Sequence, residues 1–195
     1  SVQAEERGEE LEQRTRELAS LQMGLLSTVV QTLNMRDAMT ARHSTAVARY
    51  SREVAKLLGL DERQQDLIHT AALLHDIGKV VLPDSVLFAE RKLTDDEWEL
   101  IKLHPVHGAK LVERIEGYGP VAEIVLHHHE RFSGGGYPAG IAGEEIPLGS
   151  RIIACAEVRN FSLSSATSRC SAVSVHTRST ASRIRGSNLF IRVLR

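Results

Sequence analysis

Through the first 157 residues the apolar positions recur at helical intervals. Residues 1–33 set Leu11, Leu18 and Leu25 at seven-residue spacing among Glu and Arg, with no Gly or Pro between Gly8 and Gly24, and so predict one long polar helix. The companion positions Thr15, Gln22 and Val29 are weakly apolar, which makes the seam a marginal coiled coil suited to a linker or a homodimer contact. From Ala41 a second helix is expected to bury Val47, Val54, Leu57 and Leu58 and to end at Gly59, with His43 one turn before Val47 on the same face. Asp61 should cap a third helix, whose buried side carries Leu67, Ile68, Ala71, Ala72 and Leu74. Thr94-Asp95-Asp96-Glu97 has the form of a capping box ahead of Trp98, and His104-Pro105 ends one helix and starts another. Residues 121–126 form an apolar helical run that leads into His127-His128-His129-Glu130. Residues 133–147 are loop by composition, and residues 148–157 return to a helix with Ile152, Ile153 and Ala156 inward.

Composition sharpens this into an all-α expectation. Aromatic content is 4% and alternating β-branched runs are scarce, while 42% hydrophobic and 25% charged residues suit an ordinary globular protein. No stretch approaches the roughly 20 apolar residues of a membrane span, and no signal-peptide pattern opens the chain, so a cytoplasmic location is expected. Cys155 and Cys170 form neither a disulfide framework nor a CxxC pair, in keeping with a reducing compartment. The first residue is Ser within a helical pattern, which predicts further chain upstream. Residues 1–157 hold all 25 acidic groups and a net charge of −8, whereas residues 158–195 hold seven arginines and no acid. That Ser/Arg-rich segment has no periodicity and is read as a divergent, irregular tail. Its arginines are scattered with few aromatics between them, which argues against DNA as a partner.

The densest candidate chemistry is Leu73-Leu74-His75-Asp76-Ile77-Gly78-Lys79. Successive helical residues point about 100° apart, so His75 and Asp76 need ligands from other segments to enclose an ion. His43, His104, His127, His128 and His129 lie near expected helix ends or beside acids. Imidazole with carboxylate and no thiolate suits a hydrolytic Fe, Mn or Zn centre better than a structural zinc site. Taken singly, each is weak: His43 alone reads as a core histidine, His69 as a packing one, and the triple His as a surface cluster. His104 is favoured over His107 because it occupies a helix break. The loop Ser133-Gly134-Gly135-Gly136-Tyr137-Pro138 could bring backbone N–H groups to a phosphate, although most such turns bind nothing.

Together and in this order, His43, His75-Asp76, Lys79, His104, His128-His129-Glu130 and Gly136-Tyr137-Pro138 resemble the HD-GYP family, a bacterial branch of the HD-domain metal phosphohydrolases, over about residues 33 to 157. The resemblance implies an HD-domain bundle of roughly five to seven helices over residues 34–157, between an N-terminal linker helix (1–33) and the tail (158–195). It implies that His43, His75, Asp76, His104, His128, His129 and Glu157 hold two divalent transition metals, Fe or Mn ahead of Zn, with Asp76 bridging. Asp76 and Lys79 would be catalytic, Lys79 lying near the scissile phosphate, and Gly136, Tyr137 and Pro138 would border the substrate. The implied reaction is hydrolysis of cyclic di-GMP to pGpG or on to GMP in second-messenger signalling, with a diguanylate cyclase or an upstream sensory domain as partner. Departures are specific. Met39 stands where three-metal members carry Glu, Ser133 where the family has Asp, and Glu157 where it closes the cage with a shorter carboxylate. After Glu157 the family's helix of substrate-holding residues is replaced by Arg159-Asn160-Phe161 and the tail, which implies an altered substrate cradle and impaired turnover. Two other readings fit the same residues: an HD phosphohydrolase for another nucleotide or phosphoester, and a non-catalytic signalling module that docks through the Tyr137 loop.

Overall fold

Helix punctuation sets the architecture. In the computed structural model, the backbone is described for residues 38–164 and side chains for residues 42–158, together with positions 3, 7–11, 13–15, 17, 18, 20, 21, 24, 28 and 31. The chain divides into two units, Ser1–Ala41 and Arg42–Arg195. In the first, every described position up to 31 is helical, Glu10 pairs with Arg14 at 2.8 Å, and Leu11 and Leu18 are exposed. Gln22, Leu25 and Val29 of the expected seam lie outside the described residues, as do residues 165–195 and the side chain of Met39.

The helices are α1 (Ala38–Leu57), α2 (Glu62–Leu74), α3 (Asp84–Leu87), α4 (Asp95–Lys102), α5 (His104–Val112), α6 (Gly119–Leu126) and α7 (Leu148–Ser164), with 3-10 turns at Ile77–Val81 and Gly143–Glu145. No strand occurs among the described residues, and the fold is the all-α bundle expected. Gly59, at φ +77°, closes α1: its N–H donates to the Lys56 carbonyl and that of Leu60 to Ala55, the paired bonds of a Schellman motif. Asp61 and Thr94 each close a capping box, with Gln64 and Glu97 respectively, and so fix the starts of α2 and α4.

The core is built from small residues where helices meet and from branched ones around them. Ser44, Val47, Ala48, Ser51 and Ala55 form the buried stripe of α1, and Ile68, Ala71, Ala72 and Leu74 that of α2. Leu57 and Leu58, expected inward, are 85% and 38% exposed. Leu57 lies off the stripe by nearly a quarter turn, and Leu58 follows the last helical residue, so the small side chains make the contact instead. Behind them pack Val121, Ile124 and Val125 of α6 and Ile152, Ile153 and Ala156 of α7. Leu82, Val86 and Ile101 form a second cluster, covered by Leu87, Leu93 and Trp98.

Helix α7 runs past Glu157 to Ser164, further than the composition break at residue 158 suggested, because residues 158–164 contain neither Gly nor Pro to stop it. The turn Ile77–Val81 packs on α5 at close range: a Cβ on Gly78 would fall on the His104 carbonyl and lie 2.5 Å from the Gly108 amide nitrogen. Only glycine lets these two backbones approach, and this approach brings Asp76 to His104.

Candidate metal centre

Three histidines follow the ends of three helices, and each bonds back to the last turn of the helix before it. His75 Nδ1 donates to the Ala72 carbonyl at 2.7 Å, His104 Nδ1 to Ile101 at 2.7 Å, and His128 Nδ1 to Val125 at 2.6 Å. A carbonyl can only accept, so each bond places the hydrogen on Nδ1, fixes the ring, and leaves Nε2 to face inward. All three rings are buried.

Asp76 lies among them with its two oxygens divided. Oδ2 is 3.4 Å from His75 Nε2, and Oδ1 is 3.4 Å from His104 Nε2. Lys79 Nζ donates to Oδ2 at 2.7 Å. On the opposite side Glu157, carried inward by α7, holds Oε1 at 3.4 Å from His75 Nε2 and 3.6 Å from His43 Nε2. Two groups of donor atoms result, each within 4.8 Å of one another: Asp76, His104, His128 and His129, and next to them His43, His75 and Glu157. The structure thus brings together all seven expected ligands.

The electrostatics are those of a cation site. Burial alone would lower His75, but the Asp76 and Glu157 carboxylates outweigh it and raise its pKa from 6.5 to about 9. Burial lowers His104 to about 3, and pushes His128 and His129 down as well, so these three present neutral nitrogens. Burial acts to raise Asp76, yet Lys79 and then His75 hold it well below the carboxylate range. Glu157 behaves alike, held low against its burial by His43 and His75.

The donor set fits divalent metals. His75 Nε2 is buried without a hydrogen-bond partner although two carboxylates lie beside it. His104 Nε2 and His128 Nε2 face each other at 3.3 Å, and because both Nδ1 atoms already donate, two lone pairs point at one another. Such an arrangement is satisfied by a shared Lewis acid. Imidazole and carboxylate donors without thiolate suit Fe, Mn or Zn.

The Gly-Tyr-Pro loop borders this centre. The Tyr137 ring stacks on His129, with centroids 4.8 Å apart and planes 29° from parallel. Gly136 lies on the backbone of residues 129–131, where a Cβ would sit 2.5 Å from the Arg131 nitrogen. Four of the loop's amides are already engaged within the protein. The amides of Gly134, Tyr137, Ala139 and Gly140 donate to Arg131 O, His129 O and, for the last two, Glu130 Oε1. His69 packs through Nδ1 against the Ala48 carbonyl, and His107 and His127 belong to neither donor group. Glu130 was given no task by sequence, nor was Ser150, whose hydroxyl donates to the Ile124 carbonyl at 2.8 Å and ties α7 to α6. The signal for Glu130 was its place: a carboxylate at the mouth of a glycine-rich loop whose amides need acceptors.

A helical bundle with a His-Asp pair at its centre and further histidines from separate helices is the arrangement of an HD domain. The chain belongs to the HD domain family, whose sequence model matches residues 27–169. It is 41% identical over 159 residues to the cyclic di-GMP phosphodiesterase response regulator RpfG of Xanthomonas campestris pv. campestris, a match covering 80% of this chain and 40% of that protein. It is 36% identical over 136 residues to 3'3'-cGAMP-specific phosphodiesterase 2 of Vibrio cholerae, covering 69% of this chain and 26% of that one. The chain therefore spans less than half the length of these curated relatives. Its fold is shared with the HD domain of the L. monocytogenes phosphodiesterase PgpH, at 20% identity and a TM-score of 0.54, over 73% of this chain and 76% of that one.

Proposed function

We propose that residues 34–157 and the remainder of α7 form a metal-dependent phosphodiesterase domain that hydrolyses a cyclic dinucleotide, with cyclic di-GMP as first candidate. The observation that carries this reading is the division of Asp76, one oxygen toward each donor group. His43, His75 and Glu157 would hold one divalent cation, and His104, His128 and His129 the other, with Asp76 between them. Fe or Mn is favoured over Zn for this oxygen- and nitrogen-rich set. Bound there, such a pair supplies Lewis acidity that lowers the pKa of water and offsets charge on the phosphate.

The chain's own residues prepare the rest. Their Nδ1–H bonds fix the rings of His75, His104 and His128, and hold the latter two in the ligating tautomer before any ion arrives. Lys79 fixes Asp76 and, being only half-buried, carries its positive charge to the edge where a non-bridging phosphate oxygen would lie. Tyr137, stacked on His129, offers a flat wall for a base or sugar. In the proposed reaction water adds its oxygen to phosphorus and gives up a proton, the bond from phosphorus to the 3′ oxygen breaks, and that leaving oxygen takes up a proton to become the 3′ hydroxyl. A linear dinucleotide results. The exposed Leu11 and Leu18 support a connecting or dimerising role for the N-terminal helix.

The test is purified chain loaded anaerobically with Fe(II) or with Mn(II), its metal content measured, then incubated with cyclic di-GMP and resolved by chromatography. Appearance of pGpG, lost in His75→Ala, is the expected result. Intact dinucleotide with about two metals per chain overturns it, and cleavage only of 3'3'-cGAMP or of bis(p-nitrophenyl) phosphate in the same assay moves the substrate assignment.

A further inference from the structure

The carboxylate of Glu130 is buried and belongs to neither donor group. It stands at the junction between the ligand-bearing turn at His128-His129 and the loop that carries Tyr137. Its Oε1 accepts the amide hydrogens of Ala139 at 2.7 Å and of Gly140 at 3.0 Å, reaching nine and ten residues along the chain. Between these anchor points the loop doubles back on itself. Gly136 rests on the backbone of residues 129–131, and the Tyr137 amide points to the His129 carbonyl at 3.4 Å. A buried carboxylate is unfavourable unless hydrogen bonds compensate it, and here the hydrogen-bond donors come from the loop, with His127 Nδ1 3.8 Å from Oε1 as a longer polar neighbour. Glu130 Oε2 has no hydrogen-bond partner among the described residues, so the two loop amides supply the hydrogen bonds to this carboxylate, both within 3.0 Å.

We propose that Glu130 is a positioning residue for the Tyr137 loop: by accepting from Ala139 and Gly140 it folds the loop back onto residues 129–131 and sets the Tyr137 ring on the His129 imidazole. Glu130 acts through Tyr137 and not on the metals, so its removal loosens the edge that faces substrate while the donor groups stay in register. The kinetic part of this inference rests on the phosphodiesterase reading; the structural part does not.

The experiment compares wild type, Glu130→Ala, Glu130→Gln and Tyr137→Ala for amide hydrogen exchange in residues 134–142, for metal content and, if turnover is present, for kcat and KM. In Glu130→Ala the amides of Ala139 and Gly140 should exchange at least tenfold faster, metal content should match wild type, and KM should rise several-fold with a smaller change in kcat. Tyr137→Ala should reproduce the KM change without the change in exchange at residues 139 and 140. Glu130→Gln retains an acceptor without the charge and should fall between wild type and Glu130→Ala, a graded rescue that loss of packing alone would not give. Unchanged exchange at residues 139 and 140, or loss of metal in step with loop opening, overturns the proposal. If Glu130→Ala does not yield folded protein, wild-type exchange in Glu130→Gln overturns it by itself. Absence of turnover in wild type counts against the phosphodiesterase reading and leaves the exchange result to decide the role of Glu130.

Discussion

The α-carbon of Gly78 lies against the carbonyl of His104, with no room for a methyl group between them. Substituting Gly78→Ala should therefore separate the turn from α5 and cost about 1–3 kcal/mol of stability, the usual range for forcing atoms into a filled space. Because Asp76 and His104 sit on the two sides of that contact, metal content should fall as well. Gly119→Ala is the control. A Cβ there meets nothing within 4 Å, and unfolding in urea should show no loss.

Each donor group should answer to its own substitutions. His128→Ala and His43→Ala should each remove about one metal per chain from metal-loaded protein, measured by elemental analysis after dialysis. A cation at 100 times its dissociation constant stabilises the folded state by about 2.7 kcal/mol, so Mn(II) should raise Tm and a chelator should return it. Equal metal content in wild type and both variants would remove these histidines from the ligand set.

Glu97 provides a pH test away from the centre. Its carboxylate takes both Arg91 nitrogens, at 2.7 and 2.6 Å, and the Thr94 amide at 2.9 Å. Hydrogen bonding to Arg91 lowers its pKa from 4.5 to about 2. A depressed folded-state value means that the unfolded chain takes up the proton first. The pair's contribution is thus complete above the ordinary value of 4.5 and fades as pH falls toward about 2. The Tm gap between wild type and Glu97→Gln should be constant from pH 7 to about 5.5 and narrow below pH 4.5. A gap that widens on acidification would contradict the pairing.

The buried face of α1 makes two opposite predictions within one turn. Leu57→Ser should change stability by less than about 0.5 kcal/mol, as befits a surface position. Ala55→Leu should cost about 1–3 kcal/mol, since Ala55 is fully buried and the added carbons have no space. Urea unfolding of both variants decides it. A large loss for Leu57→Ser would restore the face that the leucines suggested.

What could be read in advance was what local chemistry decides. Asp61 and Thr94 are caps because the donors they satisfy lie three residues away, and both boxes formed. The histidines and acids announced themselves by type, and the structure gathers seven of them. The face of α1 was misjudged because large side chains were weighed above small ones, whereas close helix approach selects Ala48, Ser51 and Ala55. The glycine contact between Gly78 and α5 and the reach of Glu130 to Ala139 and Gly140 link segments whose pairing no periodicity encodes. The end of α7 was missed for a plainer reason: acid-free composition does not stop a helix, and the stop signals, Gly and Pro, were not there.

The carbonyls of Ala72, Ile101 and Val125 that orient the three rings belong to the final turns of α2, α4 and α6. Three negative helix poles therefore converge where Asp76 and Glu157 already place two anionic charges, opposed by Lys79 and by His75, whose raised pKa keeps it cationic at neutral pH. The same field draws divalent cations toward the donor groups, so an ion held there would lean on backbone poles as well as on side-chain ligands.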